Sequence, residues 1–326
     1  MLCIYSLHHD PFFNLAAEEH LLKSGGEDVF MLWRSDPAVV VGKHQNTLAE
    51  INYRFTRMHD IPVARRLTGG GTVYHDPGNI NFTFIREGEP GKLVNFGLFI
   101  EPVTEYLKKL GIHAYQGEKN EILVTDKKIS GNAEHVFRNR VLHHGTLLYD
   151  TDLSRLHEAI RPGTGKFSGK AVQSNRSTVM NLKDSMRNTL STSEFCEGFL
   201  DYILRRFNGQ QYNPDESTLS AIQRLSDDKY HTWEWVYGWS PDYHYQQEVN
   251  TGSLAMSIDM ETHRGVITSS FFTSAVVPRN LMDKLTAKLR DTPHEEVNIR
   301  EQLMASGFST ITTKEEFDEL VFAFFG

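Results

Sequence analysis

Only two cysteines, Cys3 and Cys196, occur in 326 residues. A disulfide framework is therefore excluded, and a reducing cytoplasm is the expected location. Positive charge is also scarce. The 34 Lys and Arg stand against 42 Asp and Glu, for a formal charge of −8. A general nucleic-acid binder carries the opposite excess, so no nucleic-acid partner is expected. No run approaches the roughly 18 unbroken apolar residues of a spanning helix, so no membrane partner is expected either. The first twenty residues, MLCIYSLHHDPFFNLAAEEH, have no basic leader ahead of an apolar block, and we expect them to begin the mature fold. Fifteen histidines provide neither HExxH nor a Cys/His zinc spacing, so no structural metal is expected. At 39% hydrophobic, the chain is long enough for one large domain and a smaller one.

The pattern along the chain mixes strands and helices. Asp10-Pro11 reads as N-cap and first position of a helix carrying FFNLAAEEHLLK. VFMLWR (29–34) and AVVVG (38–42) are rich in β-formers. Thr47 and Glu50 have capping-box spacing ahead of a helix reaching about Met58. A helix over 95–110 ends at Gly111, and a strand meander follows through EILVT, KKISGNAEHVF and VLHHGTLLYD, with turns at Asp126-Lys127 and Asn139-Arg140. Residues 161–177 read as a polar loop. In a helix near 193–207, Cys196, Phe199, Ile203 and Phe207 share one face, which makes Cys196 a core residue. The aromatic segment 233–245 breaks the pattern, and a domain boundary is expected there, giving domains 1–245 and 246–326. Without strict βαβ alternation, the expected class is α+β, with a mixed, largely antiparallel central sheet flanked by helices and a small α+β C-terminal domain.

Three segments carry chemistry. The first is RRLTGGGTVYHDPGNINFTF (65–84). Consecutive glycines bring backbone N–H groups close to a ligand, and two arginines add fork-shaped donors for phosphate or carboxylate. A tight hairpin with solvated arginines is the plainer reading of the same residues. The segment is neither a P-loop, lacking GK[ST], nor a Rossmann fingerprint, since it leads into a strand. The second is DKKISGNA (126–133), where alternation puts Lys128 on the face of Ser130 and opposite Ile129. The third is VLHHGTLLYD (141–150), which points His143 and His144 to opposite faces of one strand.

In order and spacing, FFNLAAEEH, WRSDPAVVVGKHQN, ARRLTGGGTVYHDPGNINFTF, KNEILV, DKKISGNA, HHGTLLYDTDLSRL and WEWVYG resemble the lipoate–protein ligase A family, within the biotin and lipoyl ligase superfamily. The likeness runs over about 10–245, with a weaker match to an accessory domain beyond. It implies that lipoate and ATP give lipoyl-AMP, and that the acyl group then passes to a lysine of an acceptor. The acceptors it implies are lipoyl domains of E2 subunits or the glycine-cleavage H protein. ATP, Mg²⁺ with the nucleotide, lipoate as substrate and a monomeric state belong to the same implication. So do the residue roles: Lys128 is the catalytic residue, bridging lipoyl carbonyl and phosphate, and Arg66 holds the activated carboxyl or phosphate. Gly69, Gly70, Gly71, Thr72, Val73 and Tyr74 bind nucleotide through backbone groups. His75, Asn79 and His144 shape the surrounding layer, Asn120 and Glu121 lie on the magnesium or adenine side, and Ser130, Gly131 and Thr146 complete the strand site. Trp33, Val40 and Gly42 line the apolar part. Ser174 and Arg176 belong to a loop that shields the adenylate.

The chain departs from the family pattern at three places. Asn120-Glu121 replaces Asn-Asp, Glu118-Lys119 replaces Gly-Arg, and Thr178 stands where a second arginine is expected. Other readings are an acyltransferase that moves octanoyl or lipoyl groups through a cysteine thioester, a transferase that takes preformed lipoyl-AMP, a biotin–protein ligase, and a non-catalytic lipoate-binding module. Neither cysteine suits the thioester route.

Overall fold

The computed structural model describes residues 1–89, 91–175 and 177–326. In chain order the strands of these residues are β1 (Leu2–Tyr5), β2 (Val29–Arg34), β3 (Ala38–Val41), β4 (Val63–Arg65), β5 (Val73–His75), β6 (Asn79–Glu87), β7 (Tyr115–Gln116), β8 (Ile122–Val124), β9 (Lys127–Ser130), β10 (Asn132–Phe137), β11 (Arg140–Leu148), β12 (Lys166–Gly169), β13 (Gln210–Gln211), β14 (Tyr243–Thr251), β15 (Leu254–His263), β16 (Val266–Thr273) and β17 (Thr292–Pro293). The α-helices are α1 (Pro11–Ser24), α2 (Thr47–Glu50), α3 (Tyr53–Met58), α4 (Phe96–Lys109), α5 (Leu153–Ala159), α6 (Thr192–Arg206), α7 (Glu216–Leu225), α8 (Arg279–Leu289), α9 (Glu296–Ser306) and α10 (Lys314–Phe322). Two compact units result. One holds Met1–Gly42, Ala64–Leu156 and Asn175–Thr232, and the other holds Lys43–Val63, His157–Ser174 and Trp233–Gly326.

The first unit is built on a six-stranded sheet in the order β10-β11-β6-β2-β1-β13. Pairing is antiparallel from β10 to β2, and parallel across β2-β1-β13. Strand β6 shows why this sheet has two unlike faces. Its residues alternate Asn79, Asn81, Thr83 with Ile80, Phe82, Phe84, and all are buried. The apolar set meets Phe99 of α4 and Phe199 of α6 in one cluster. Burying each such aromatic contributes about 2–3 kcal/mol. The polar set faces the opposite way, into the buried polar layer described below. Cys196 is fully buried in the apolar cluster, as its spacing predicts.

Helix α1 starts as its sequence dictates. The Asp10 carboxylate accepts the Phe12 N–H at 2.8 Å, and Pro11 takes the first position, where no N–H is needed. The helix is buried on nearly every side, so its polar Asn14, Glu18 and Glu19 are buried too. The expected Thr47/Glu50 capping box does not form. Asn46 caps α2 by accepting from Leu48 N–H at 3.2 Å, and Asn52 caps α3 by accepting from Phe55 N–H at 3.0 Å. Two asparagines with short acceptors at the right offsets split the segment and leave the Thr47 hydroxyl to donate to the Val236 carbonyl.

KKISGNAEHVF, expected as a single strand, is two. β9 pairs with β8 in the small sheet β7-β8-β9, and after Gly131 the chain enters the main sheet as β10. The second unit carries the sheet β12-β14-β15-β16-β17 with α8, α9 and α10. Its strand β12 lies inside the stretch expected as loop, pairing antiparallel with β14. The β15–β16 turn uses Arg264 and Gly265, both at positive φ, as a tight two-residue hairpin requires.

Candidate functional site

The glycine loop is organised by Arg66. Its guanidinium is buried and donates from Nε to Thr68 Oγ1 (2.9 Å), from one terminal nitrogen to the Val40 carbonyl (3.1 Å), and from the other to the carbonyls of Gly69 and Gly71 (both 2.7 Å). Four N–H groups are thus spent on holding the loop. Burial lowers this guanidinium to about 10, against the opposing pull of Glu18. Arg65 is fully buried as well and donates to the Gly42 carbonyl at 3.0 Å. The solvated-arginine hairpin is therefore not what the chain forms.

Gly42 and Gly70 are required by geometry. Gly70 has φ +88, and its carbonyl comes so close to Gly42 that a Cβ there would sit 2.1 Å from the oxygen. A Cβ on Gly70 would lie 3.9 Å from the Ala133 methyl, so the loop abuts the start of β10. β5 then pairs with β3, aligning Val73 with Val40, Tyr74 with Val39 and His75 with Ala38. Tyr74 is turned inward, 1% exposed, with its hydroxyl buried and without a hydrogen-bond partner.

Below the loop lies a buried polar layer. Thr68 Oγ1 is 2.8 Å from His144 Nε2, and His144 Nδ1 is 2.8 Å from Glu18 Oε2. Glu18 Oε1 accepts from Thr83 Oγ1 (2.5 Å) and Trp33 Nε1 (3.4 Å). Cross-strand register sets this row, since Thr83 opposes both His144 and Met31, and Asn81 opposes Trp33 and Thr146. Asn79 donates to Asn81 Oδ1 at 3.0 Å, while Asn79 Oδ1, Asn81 Nδ2 and His75 Nδ1 are buried without a partner. Burial, with Arg66 and His144 beside it, drives His75 down to about 3, so its ring is neutral at ordinary pH. His143 points to the other face, stacked on Phe99 at 4.9 Å and bonded to Glu134 at 3.0 Å. Glu18, absent from the residues singled out in the sequence, is the main element missed. Its signal is two adjacent acids, Glu18 and Glu19, set among the apolar positions of FFNLAAEEHLL.

Lys128 completes the constellation. Its backbone is clamped by Thr178 O (2.9 Å, accepting its N–H) and by Met180 N–H (3.1 Å, donating to its carbonyl). Its side chain arches over Gly131, where a Cβ would lie 3.2 Å from Nζ and 3.3 Å from Cε. That explains the lysine-to-glycine spacing in KISG. Gly131 is pinned by Thr146, whose Oγ1 accepts the Gly131 N–H at 3.2 Å and whose N–H donates to the Gly131 carbonyl at 3.1 Å. Desolvation lowers the Lys128 pKa, with Glu121 opposing, and Arg66 and Lys119 adding to the depression. Asn120, at φ +62, presents its carbonyl to Asn132 Nδ2 at 2.8 Å. Glu121 folds over Gly117, and its Oε2 is buried without a hydrogen-bond partner. Ser130 is fully buried and 3.3 Å from Asn132 Nδ2.

One unit therefore gathers Trp33, Arg66, the glycine loop through His75, Asn79, Asn120, Glu121, Lys128, Ser130, Gly131, His144 and Thr146. Ser174 falls in the other unit. Its hydroxyl donates to Glu50, and it accepts from Gln45 Nε2 at 3.0 Å. Arg176 lies outside the described residues. Burial raises both cysteine thiols to about 11, and no metal-binding group of three His, Cys, Asp or Glu occurs among the described residues. No helix of those residues is long and apolar enough to cross a membrane.

The model of the lipoyl protein ligase A/B catalytic domain matches residues 10–204. Lipoate–protein ligase 1 of Staphylococcus aureus is 36% identical over 260 residues, 79% of each chain. This chain belongs to that family. A T. acidophilum protein assigned as a lipoate protein ligase and solved with bound lipoic acid aligns at 26% identity and TM-score 0.62, covering 72% of this chain and 98% of that one. A lipoate–protein ligase A bound with ATP aligns at 26% identity and TM-score 0.62, covering 73% and 100%. The mixed, largely antiparallel sheet expected from the sequence is the fold this family shares.

Proposed function

We propose that the chain is an ATP-dependent lipoate–protein ligase that works through lipoyl-AMP. The observation that carries this reading is the convergence of Lys128, Arg66 and the open glycine backbone in one unit. In the first step the lipoate carboxylate oxygen bonds to the α-phosphorus of ATP and the bond to pyrophosphate breaks. In the second, the amine of an acceptor lysine attacks the lipoyl carbonyl, an amide forms, and AMP leaves. Both steps build charge on neighbouring oxygens, where preorganised donors act most strongly.

The geometry supports these roles. Lys128 bridges the acyl carbonyl and the phosphate as a partly desolvated ammonium, and the missing Cβ of Gly131 leaves room for its head. Arg66 holds the activated carboxyl or phosphate through its fixed positive field, while its donors to the Gly69 and Gly71 carbonyls keep the loop in place. Gly69, Gly70, Gly71, Thr72, Val73 and Tyr74 offer main-chain contacts. His75, Asn79, Asn81 and Trp33 face the acyl group. A nucleotide-bound Mg²⁺ fits the unpartnered Oε2 of Glu121, a hard oxygen donor, and it would offset phosphate charge. The raised thiols of Cys3 and Cys196 speak against a thioester route, and unpaired buried cysteines suit the cytoplasmic location we propose. Acceptors are lipoyl domains, including E2 subunits and the glycine-cleavage H protein.

The test is pyrophosphate release from lipoate, ATP and Mg²⁺, with and without an acceptor domain. Release without acceptor is expected. Labelling of acceptor only from supplied lipoyl-AMP would instead mark a transferase, and no product in either arm would mark a binding module.

A further inference from the structure

We propose that Glu18 is a positioning residue: it fixes the tautomer of His144 and, through Thr68, locks Arg66 and the glycine loop in the nucleotide-ready conformation. The inference rests on the ligase reading of the site. Glu18 is 3% exposed, in the middle of α1, with Oε2 at 2.8 Å from His144 Nδ1. An ionised carboxylate only accepts, so Nδ1 carries the proton. On a neutral ring Nε2 is then the acceptor, and the Thr68 hydroxyl 2.8 Å away donates to it. The Thr68 lone pairs are left for the Arg66 Nε–H at 2.9 Å. Each donor thus has one acceptor, and the bonds run in one direction from Arg66 to Glu18.

The opposite tautomer breaks this order. It sets a ring lone pair against a carboxylate at 2.8 Å, and it makes the Thr68 hydroxyl accept twice, from the ring N–H and from Arg66, so that its own O–H loses His144 as acceptor. Buried polar chains are costly when half satisfied, so the strain is relieved by moving the loop. The same guanidinium holds the Gly69 and Gly71 carbonyls at 2.7 Å, and that is how a residue on α1 reaches the nucleotide backbone contacts. Glu18 also places a negative charge where it offsets that of buried Arg66. Its neighbour Glu19 does not compete, because Lys23, Lys229 and Tyr230 occupy it at 2.5–2.6 Å. A glutamine at position 18 cannot serve equally. Its amide has one acceptor oxygen, while His144, Thr83 and Trp33 all donate to the present side chain.

The experiment has two independent readouts. Long-range ¹H–¹⁵N spectra of histidine-labelled wild type are expected to place the His144 proton on Nδ1, and in Glu18→Gln to show a mixture of tautomers. Adenylation by Glu18→Gln is expected to lose about ten- to hundredfold in kcat/KM for ATP, the range for removing an orienting partner behind a directly acting group. Should Glu18→Gln fail to fold, Thr68→Val breaks the same chain from its other end and should lose a similar factor, with Thr68→Ser recovering most of it. A wild-type proton on Nε2, or Glu18→Gln or Thr68→Val with wild-type kcat/KM, overturns the inference. A wild type that releases no pyrophosphate sinks the ligase reading instead, while the His144 spectrum still decides the tautomer.

Discussion

Gly131→Ala isolates the placement of Lys128 from its presence. The new methyl would stand 3.2 Å from Nζ and 3.3 Å from Cε. Ordinary contact needs about 3.5–4.0 Å, so the ammonium must retreat by about 0.4 Å. The obstacle is the far end of a flexible side chain, and Gly131 is not at positive φ, so the fold can absorb the change. Stability should even rise by a few tenths of a kcal/mol through the smaller entropy of the unfolded chain. Catalysis should not be spared. A misplacement of about 1 Å costs roughly a hundredfold, and a shift near half that size costs about tenfold, or ~1.4 kcal/mol. The assay is kcat/KM for pyrophosphate release, read beside the melting midpoint. A tenfold loss with an unchanged or raised midpoint is expected, and adding Gly131→Ala to Lys128→Ala should cost nothing more, since both act on one group. Full activity in the single variant, or additive losses in the pair, would refute the argument.

Other perturbations read other parts of the account. Gly42→Ala drives a methyl to 2.1 Å from the Gly70 carbonyl, a backbone atom with nowhere to go, so about 1–3 kcal/mol of stability should be lost in denaturant melts along with ATP binding. Burial alone would raise Glu19, but hydrogen bonds from Lys229, Lys23 and Tyr230 overcome it and hold it at about 2, against 4.5 for the free group. A carboxylate depressed on folding contributes above its unfolded pKa and loses that contribution as pH falls through its folded one. Glu19 should therefore supply about 3 kcal/mol that fades between pH 4.5 and 2, and Glu19→Gln should flatten that part of the stability curve. His75, held down to about 3 by burial, Arg66 and His144, should keep its neutral-ring NMR shifts to pH 4, and a midpoint near 6.5 would contradict the buried placement.

Much of this was legible because local chemistry dictated it. Asp10-Pro11 can hardly begin anything but a helix, and the alternation of NINFTF gives its sheet both an apolar and a polar face. GGG beside RR announced close approach of the backbone. Other features depend on partners distant in sequence, which spacing cannot show. Thr47 and Glu50 fit a capping box, yet Asn46 offers a nearer cap and Glu50 is taken by Ser174, 124 residues on. KKISGNAEHVF reads as one strand because nothing in the sequence says that Gly131 changes sheets. Arg66 was legible as a cation, but that its donors turn inward to the loop depends on where Val40 and Thr68 lie. Glu18 was hidden in a helix whose burial on nearly all sides only the packed structure reveals.

The central claim is that Lys128 stabilises the charge that develops as lipoate is adenylated. Pyrophosphate release from lipoate, ATP and Mg²⁺, compared between wild type and Lys128→Ala without acceptor, measures it directly. Loss of a charge-assisted contact of roughly 2–4 kcal/mol should slow the variant about thirty- to nearly a thousandfold while its circular dichroism stays native. Equal rates in the two proteins would contradict the account.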